Sequence, residues 1–311
     1  MATANGDQRR ERLTRQSLVY WEQWNNPANG LVLTREGLEI ARRIGSLLYA
    51  GNMVGNGVVC ALRVGEWDWA TDLLVDWTTD DVTTPSYSEF FGDRAILSAL
   101  RGGDPTSDLD RVTALRSSIT DPQYEAYDDW FRGWASFAAG KFTQAHALAR
   151  KAPPLNRFFH AMATPLIVHS ALAARDLAAA KGWREVMNGT MYRGESLSRD
   201  LQALGAGIAA LEGRRTEALA QFRDALAGYR ALSLAFDEAL TALDMIELLG
   251  ADEPEAQTAA EWTRATLTRL GATPLVLRLD AALAQPSGGS AVSAAHTKTG
   301  SRARSASATS G

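Results

Sequence analysis

The segment Gly213-Arg-Arg-Thr-Glu-Ala-Leu-Ala-Gln-Phe-Arg-Asp-Ala-Leu-Ala-Gly-Tyr-Arg230 decides the fold class of this 311-residue chain. Leu219, Phe222, Leu226 and Tyr229 recur every three or four residues, which lines them along one helix face. Gly213 breaks the chain ahead of them. Glu217 falls in the first turn, where a carboxylate meets the positive end of the helix dipole. The same pattern extends outward in both directions. Ala, Leu, Arg and Glu dominate, all good helix formers, and alternation of β-branched residues is nearly absent. Breakers recur at Gly65, Gly103, Gly140, Arg175-Asp176, Gly213 and Gly250, at intervals of 38, 37, 35, 38 and 37 residues. Each follows a long apolar-periodic segment and precedes a second, more charged one. The predicted unit is a helix, a tight turn and a second helix. One such hairpin cannot bury its apolar stripe, whereas stacked hairpins can. The chain is therefore predicted to be all-α, an α-solenoid of about six helix-turn-helix hairpins.

Within each unit, the spacing of small and large residues resembles the tetratricopeptide repeat (TPR). That pattern places a small residue at the turn, Ala five residues later, a large apolar residue four further on, and a small residue three beyond. Gly213, Ala218, Phe222 and Ala225 match all four positions. Gly140, Ala145, Ala149 and Ala152 match with the large position shrunk. Gly65, Ala70 and Leu74 match, with Trp77 in place of the last small residue. Gly133 fits the small position in a first helix. The units at Gly103 and Arg175 are degenerate, and the period is longer than the roughly 34 residues of that family. The resemblance covers about residues 31–285 and implies a right-handed superhelix. A narrower resemblance lies at residues 262–283, where a helix ends in Leu270-Gly271-Ala272, Pro274 follows, and a last helix carries Arg278 and Leu279. This looks like the C-terminal close of helical scaffolds in bacterial signalling ATPases linked to class III cyclase or LuxR-type DNA-binding domains. Leu38-Glu39-Ile40-Ala41-Arg42-Arg43-Ile44-Gly45 looks like the second helix of an earlier repeat in such arrays. The cyclase, ATPase and DNA-binding domains are not visible in these residues, so their activities are not carried over.

Three segments are expected: a flexible N-terminus at 1–12, a TPR-like repeat domain at 13–285, and a disordered Ser/Ala/Gly-rich tail at 286–311. The formal net charge is -4, from 32 Lys and Arg against 36 Asp and Glu. The tail carries Lys298, Arg302 and Arg304 and no acid, so residues 1–285 carry -7. A body that acidic argues against nucleic acid as a partner, because phosphate neutralisation needs a positive surface. The single cysteine, Cys60, excludes an internal disulfide and any multi-cysteine metal site. It lies in the apolar run Val58-Val59-Cys60-Ala61-Leu62 and reads as a small buried hydrophobe. No signal-peptide core follows the arginine-rich start. The longest uncharged run, residues 44–62, holds four glycines with Ser46, Asn52 and Asn56, too polar for a membrane span. A cytoplasmic protein is expected. Arginine so far outnumbers lysine, 28 to 4, that a GC-rich bacterial source is also expected.

Chemistry-bearing motifs are sparse. No G-x-x-x-x-G-K-[ST] loop occurs. Gly205-Ala206-Gly207-Ile208-Ala209-Ala210 matches G-x-G-x-x-A in form, but no strand precedes it, so close helix packing is the better reading. His160 and His169 are nine residues apart, unsuited to a metal pair on one helix. Asp104, Asp108 and Asp110 complement a helix N-terminus rather than a calcium loop. No catalytic, cofactor-binding or metal-binding residue is therefore expected, and the chain is not expected to be an enzyme.

Aromatic residues carry more information. Seven of nine tryptophans fall in the first 134 residues. Tyr20, Trp21, Trp24, Trp67, Trp69, Trp130, Arg132 and Trp134 are the candidate partner-binding residues. Trp67 and Trp69 cannot share a helix face, and Arg132 beside Trp134 suits cation–π recognition. Helices are predicted over Leu13 to Trp24 and 31–45. Tyr20, Trp21 and Trp24 are thereby left at an N-terminal edge suited to self-association. The expected function is a non-catalytic protein–protein interaction or scaffold module of a signalling system, bound to a protein partner or a neighbouring signalling domain. The alternative is a small-molecule sensor holding its ligand in the superhelical groove.

Overall fold

The computed structural model describes residues 2–284, and every regular element there is helical. The expected tail at 286–311 lies outside the described residues. The chain opens with α1 (Ala2–Glu22), α2 (Pro27–Ile44) and α3 (Leu47–Val64). α1 starts well ahead of the Leu13 predicted as its first residue. Polarity does not break a helix, and the Ala, Gln, Arg and Glu of this stretch are good helix formers. Glu22 builds the turn that follows. Its carboxylate accepts from the Asn26 backbone N–H at 2.9 Å and from the Asn25 and Asn29 side chains. Asn26 then caps α2 by accepting from the Asn29 N–H.

Helices then come in packed pairs. α3 is followed by α4 (Trp67–Val75), α5 (Ser88–Leu100) by α6 (Thr106–Arg116), and α7 (Pro122–Ala138) by α8 (Phe142–Ala149). Two single turns, α9 (Ala152–Leu155) and α10 (Phe159–Met162), lead into α11 (Thr164–Ala173) and α12 (Leu177–Asn188). α13 (Glu195–Leu211) pairs with α14 (Arg215–Ala231), and α15 (Ala235–Leu249) with α16 (Pro254–Arg269), before the closing α17 (Thr273–Ala284). Each breaker read from the sequence falls between the partners of one pair. At one of them the left-handed residue is Gly102, with φ 86°, rather than its neighbour Gly103. At another a non-glycine, Arg175, takes φ 53°. Hydrogen bonds hold it there: Arg175 N–H donates to Leu172 at 2.9 Å, Asp176 N–H to Ala171 at 3.0 Å, and the Asp176 carboxylate caps α12 at Ala179.

Small residues sit where helices touch. Ala218 and Ala225 are fully buried around Phe222, as are Ala145, Ala149 and Ala152. A Cβ on Gly133 would lie 2.9 Å from Leu166, and one on Gly207 only 2.2 Å from Leu172. The G-x-G-x-x-A text is thus a site of close contact between α13 and α11, inside a helix. Cys60 is buried, and burial pushes its thiol up to about 12. α3 is the one helix among the described residues long and apolar enough to cross a bilayer, and most of it is buried inside the fold.

α15 organises the centre. Every residue from Phe236 to Ile246 is buried, and the helix packs on α3, α11, α13, α14, α16 and α17. In an open repeat array each unit meets only its neighbours. Here the first and last parts of the chain touch. Ser196 and Leu197 at the start of α13 donate backbone hydrogen bonds to Asn25 and Trp24, at 2.9 and 3.0 Å. α17 packs on α5, and Arg101 Nε donates to the Leu270 carbonyl at 3.2 Å.

A buried charge cluster fastens this closure. Arg63 of α3 donates to Asp237 of α15 and Asp200 of α13, both at 2.7 Å, and to Ser196 Oγ and the Gln23 carbonyl. Tyr229 donates to Asp200 at 2.7 Å. Two carboxylates share one guanidinium, and burial pushes Asp237 up to about 6 despite the pull of Arg63. A second cluster joins α11, α15 and α17: His169 Nδ1 lies 2.6 Å from Asp244, which also accepts from Arg278 at 3.1 Å.

Candidate functional site

Burial divides the aromatic residues singled out in the sequence. Trp24, Trp67, Trp130 and Trp134 are core side chains and offer no surface to a partner. Trp67 Nε1 donates to the Leu62 carbonyl at 2.9 Å, and its ring meets Phe236 of α15 edge-on. Trp69, two residues on, lies partly exposed beneath Arg35, whose guanidinium is 5.1 Å from the ring centroid. Arg132 does not stack on Trp134. It bonds to Asp128 and Thr113 instead, at 2.9 and 2.8 Å. The N-terminal edge folds back on its own chain. Trp24 packs edge-on to Phe158 and Tyr192, and Tyr20 stacks on Phe158 at 4.1 Å. Trp21, 44% exposed, remains on the surface.

Tyr20 has a second role. Its helix, with α3, α5 and α7, encloses a cavity of about 260 Å³. α1 contributes Gln16 and Tyr20, and the turn after it contributes Gln23. α3 contributes Gly51, Asn52, Gly55 and Asn56, small and amide residues one turn apart. α5 contributes Glu89, Phe90 and Asp93, and α7 contributes Gln123 and Tyr127. The glycines make the room. A Cβ on Gly55 would lie 3.7 Å from both Glu89 Oε2 and the Phe90 ring. No Lys, Arg or His lines the cavity.

Its acids are poorly served. The carboxylate of Asp93, a residue 4% exposed, makes no hydrogen bond or ion pair among the described residues. Burial and the neighbouring Glu89 raise its carboxyl well above the usual range. Burial likewise pushes Glu89 up to about 7, against the opposing pull of Arg116. Gln23 is equally buried. Its Nε2 donates to Asn56 Oδ1 at 2.6 Å, while its Oε1 has no partner. Acceptors of this kind are costly to bury unmet, so they mark a place where donors belong.

A wider, shallower hollow of about 520 Å³ lies beside Arg132, between the start of α8 and Pro274. None of the buried unpartnered polar atoms lines it. Asp108 pairs with Arg94, and Asp104 caps its own turn at Thr106. Among the described residues no cluster of metal-ligating side chains converges. Glu89 and Asp93 carried one signal in the sequence: two acids four apart within the apolar segment Ser88–Leu100, flanked by Phe90 and Phe91. No known family and no curated protein matches the chain.

Proposed function

We propose that this chain is a non-catalytic, TPR-like α-solenoid of about six hairpins in a right-handed superhelix that senses a small molecule in the cytoplasm. It presents the bound state to a protein partner or a neighbouring signalling domain. The observation that carries this reading is an accessible cavity whose lining includes the buried Asp93, with no partner for its carboxylate, and Gln23, whose Oε1 is buried without a partner. α15 fills the interior of the array, so the ligand site lies between α1, α3, α5 and α7 rather than in a superhelical groove. A protein-facing role is supported at the same place. Leu48 lines the cavity and is 77% exposed, with Leu47 exposed beside it.

Native mass spectrometry of gently purified protein tests the reading. A co-purifying small molecule is expected, and Gly55→Leu, which fills the cavity, is expected to abolish it. Protein that carries no ligand and shows no thermal shift with any small-molecule probe refutes the sensor. Nucleotide hydrolysis and cyclisation assays are expected to match buffer. Turnover that survives repurification and vanishes on a point change would refute the absence of catalysis.

A further inference from the structure

Resting on that reading, we infer that the cavity between α1, α3, α5 and α7 takes a small organic cation, an amine presenting several N–H donors. Three residues of its lining carry acceptors for such donors. Glu89 and Asp93 lie four residues apart on one face of α5. The third, the Gln23 carbonyl oxygen, is fixed by an amide relay. Asn56 Nδ2 donates to the Asn52 carbonyl at 2.7 Å, so Asn56 Oδ1 must accept, and it accepts from Gln23 Nε2. Gln23 Oε1 is thereby left as an acceptor, buried and unmatched.

Charge and shape agree with the acceptors. The cavity holds two acids and no basic residue. Arg116, the countercharge that pulls on both acids, does not line the cavity: its Nε donates to Ser88 Oγ at 2.6 Å and its Nη1 to the Tyr124 carbonyl at 2.8 Å, while its Nη2 is buried without a partner. Tyr20, Tyr87, Phe90 and Tyr127 make part of the wall aromatic, a setting that suits a cation. The volume matches roughly nine waters at about 30 Å³ each, the size of a small amine. A divalent metal ion fits less well. It needs six or more oxygens at about 2.0–2.6 Å, and much of this wall is aromatic.

Binding also moves protons. Without a cation nearby, burial favours the neutral forms of Glu89 and Asp93. The other titratable groups around them are Tyr20 from α1, Tyr87 ahead of α5, and Tyr124 and Tyr127 from α7, with the Arg116 guanidinium as countercharge. α3 contributes only glycines, asparagines and apolar residues. Near pH 6 Tyr20 and Tyr127, both raised by burial, stay neutral, so an arriving ammonium that ionises the acids releases their protons.

Titration calorimetry on the full chain tests the inference, with benzylamine and 1,4-diaminobutane as cations. Benzyl alcohol and benzoate serve as neutral and anionic matches, and calcium chloride as the metal. At least one amine is expected to bind tenfold or more tightly than benzyl alcohol. At pH 6 the heat should depend on the buffer's ionisation enthalpy, reporting proton release. Asp93→Asn and Glu89→Gln should each weaken amine binding at least tenfold without lowering the unfolding midpoint. Equal or tighter binding of benzyl alcohol, benzoate or calcium overturns the cation. If such binding disappears in Gly55→Leu, the cavity remains a ligand site. If no probe of any charge binds, the cation and the sensor fall together.

Discussion

Glu89→Gln is expected to stabilise the protein at pH 8 and to change little near pH 4. The reason is the cost of ionising a carboxyl inside the cavity. Burial lifts Glu89 from 4.5 to about 7. Between those values the folded chain holds a proton that the unfolded chain has released. Stability therefore falls as pH rises through that window and levels off above about 7. Each pH unit is worth about 1.36 kcal/mol, so the ionised fold carries a penalty of roughly 3 kcal/mol. Glu89 keeps a partly open edge, which makes that figure a ceiling. Glutamine has nearly the same shape and no charge. It also removes the repulsion that raises Asp93. Urea unfolding, followed by tryptophan fluorescence at pH 4, 6 and 8, measures the difference. The gain should grow with pH, with the slope of each transition unchanged. A variant less stable at pH 8, or one whose gain is the same at pH 4, would mean that Glu89 is ionised and satisfied in the fold.

Arg63→Leu leaves Asp200 and Asp237 buried without their countercharge and should cost about 3–5 kcal/mol in chemical unfolding. A loss under about 1 kcal/mol would mean that α3, α13 and α15 are held by apolar packing alone. Trp24→Ala should cost about 3–5 kcal/mol as a core deletion. Trp21→Glu should change stability by less than about 0.5 kcal/mol and weaken any self-association in sedimentation. A Trp24→Ala protein of unaltered midpoint, or identical sedimentation of wild type and Trp21→Glu, would contradict that division of roles. Gly55→Ala adds a methyl group at ordinary contact distance in mid-helix and should raise stability by up to about 1 kcal/mol. A loss would show that the α3 backbone cannot accept a side chain there.

The helices and their turns were legible because their causes are local. Apolar spacing fixes a helix face, and a breaker fixes where the chain reverses. Even the non-glycine turn at Arg175 was visible, through the aspartate that caps the next helix. The misplacement of one turn by a residue, Gly103 for Gly102, is the tolerance of such reasoning, since either glycine permits a positive φ. What brings distant helices together was not legible. Arg63 and Asp237 are 174 residues apart, and no spacing rule links them. No local pattern marks Asp237, Glu238 and Asp244 as buried, yet α15 buries all three. Aromatic type alone could not separate surface from core: Trp21 and Trp24 lie one turn apart, and only the second meets Phe158 and Tyr192. Glu89 and Asp93 became meaningful only once Gly51 and Gly55, on another helix, were seen to leave them a hole to face.

The central position of α15 has a consequence during synthesis. Roughly three quarters of the chain is made before Ala235 leaves the ribosome. About 170 residues separate the end of α3 from the start of the helix that covers it. At a translation rate of about 5–20 residues per second, α3 waits roughly ten to thirty seconds for its partner. Meanwhile the faces that will meet α15 remain available to chaperones or to other nascent chains. Extendable repeat proteins can settle unit by unit as they emerge. Here the early hairpins reach their final packing only when the last quarter of the chain arrives. A message truncated before codon 235 should therefore yield aggregated or degraded chains rather than a shorter, folded array.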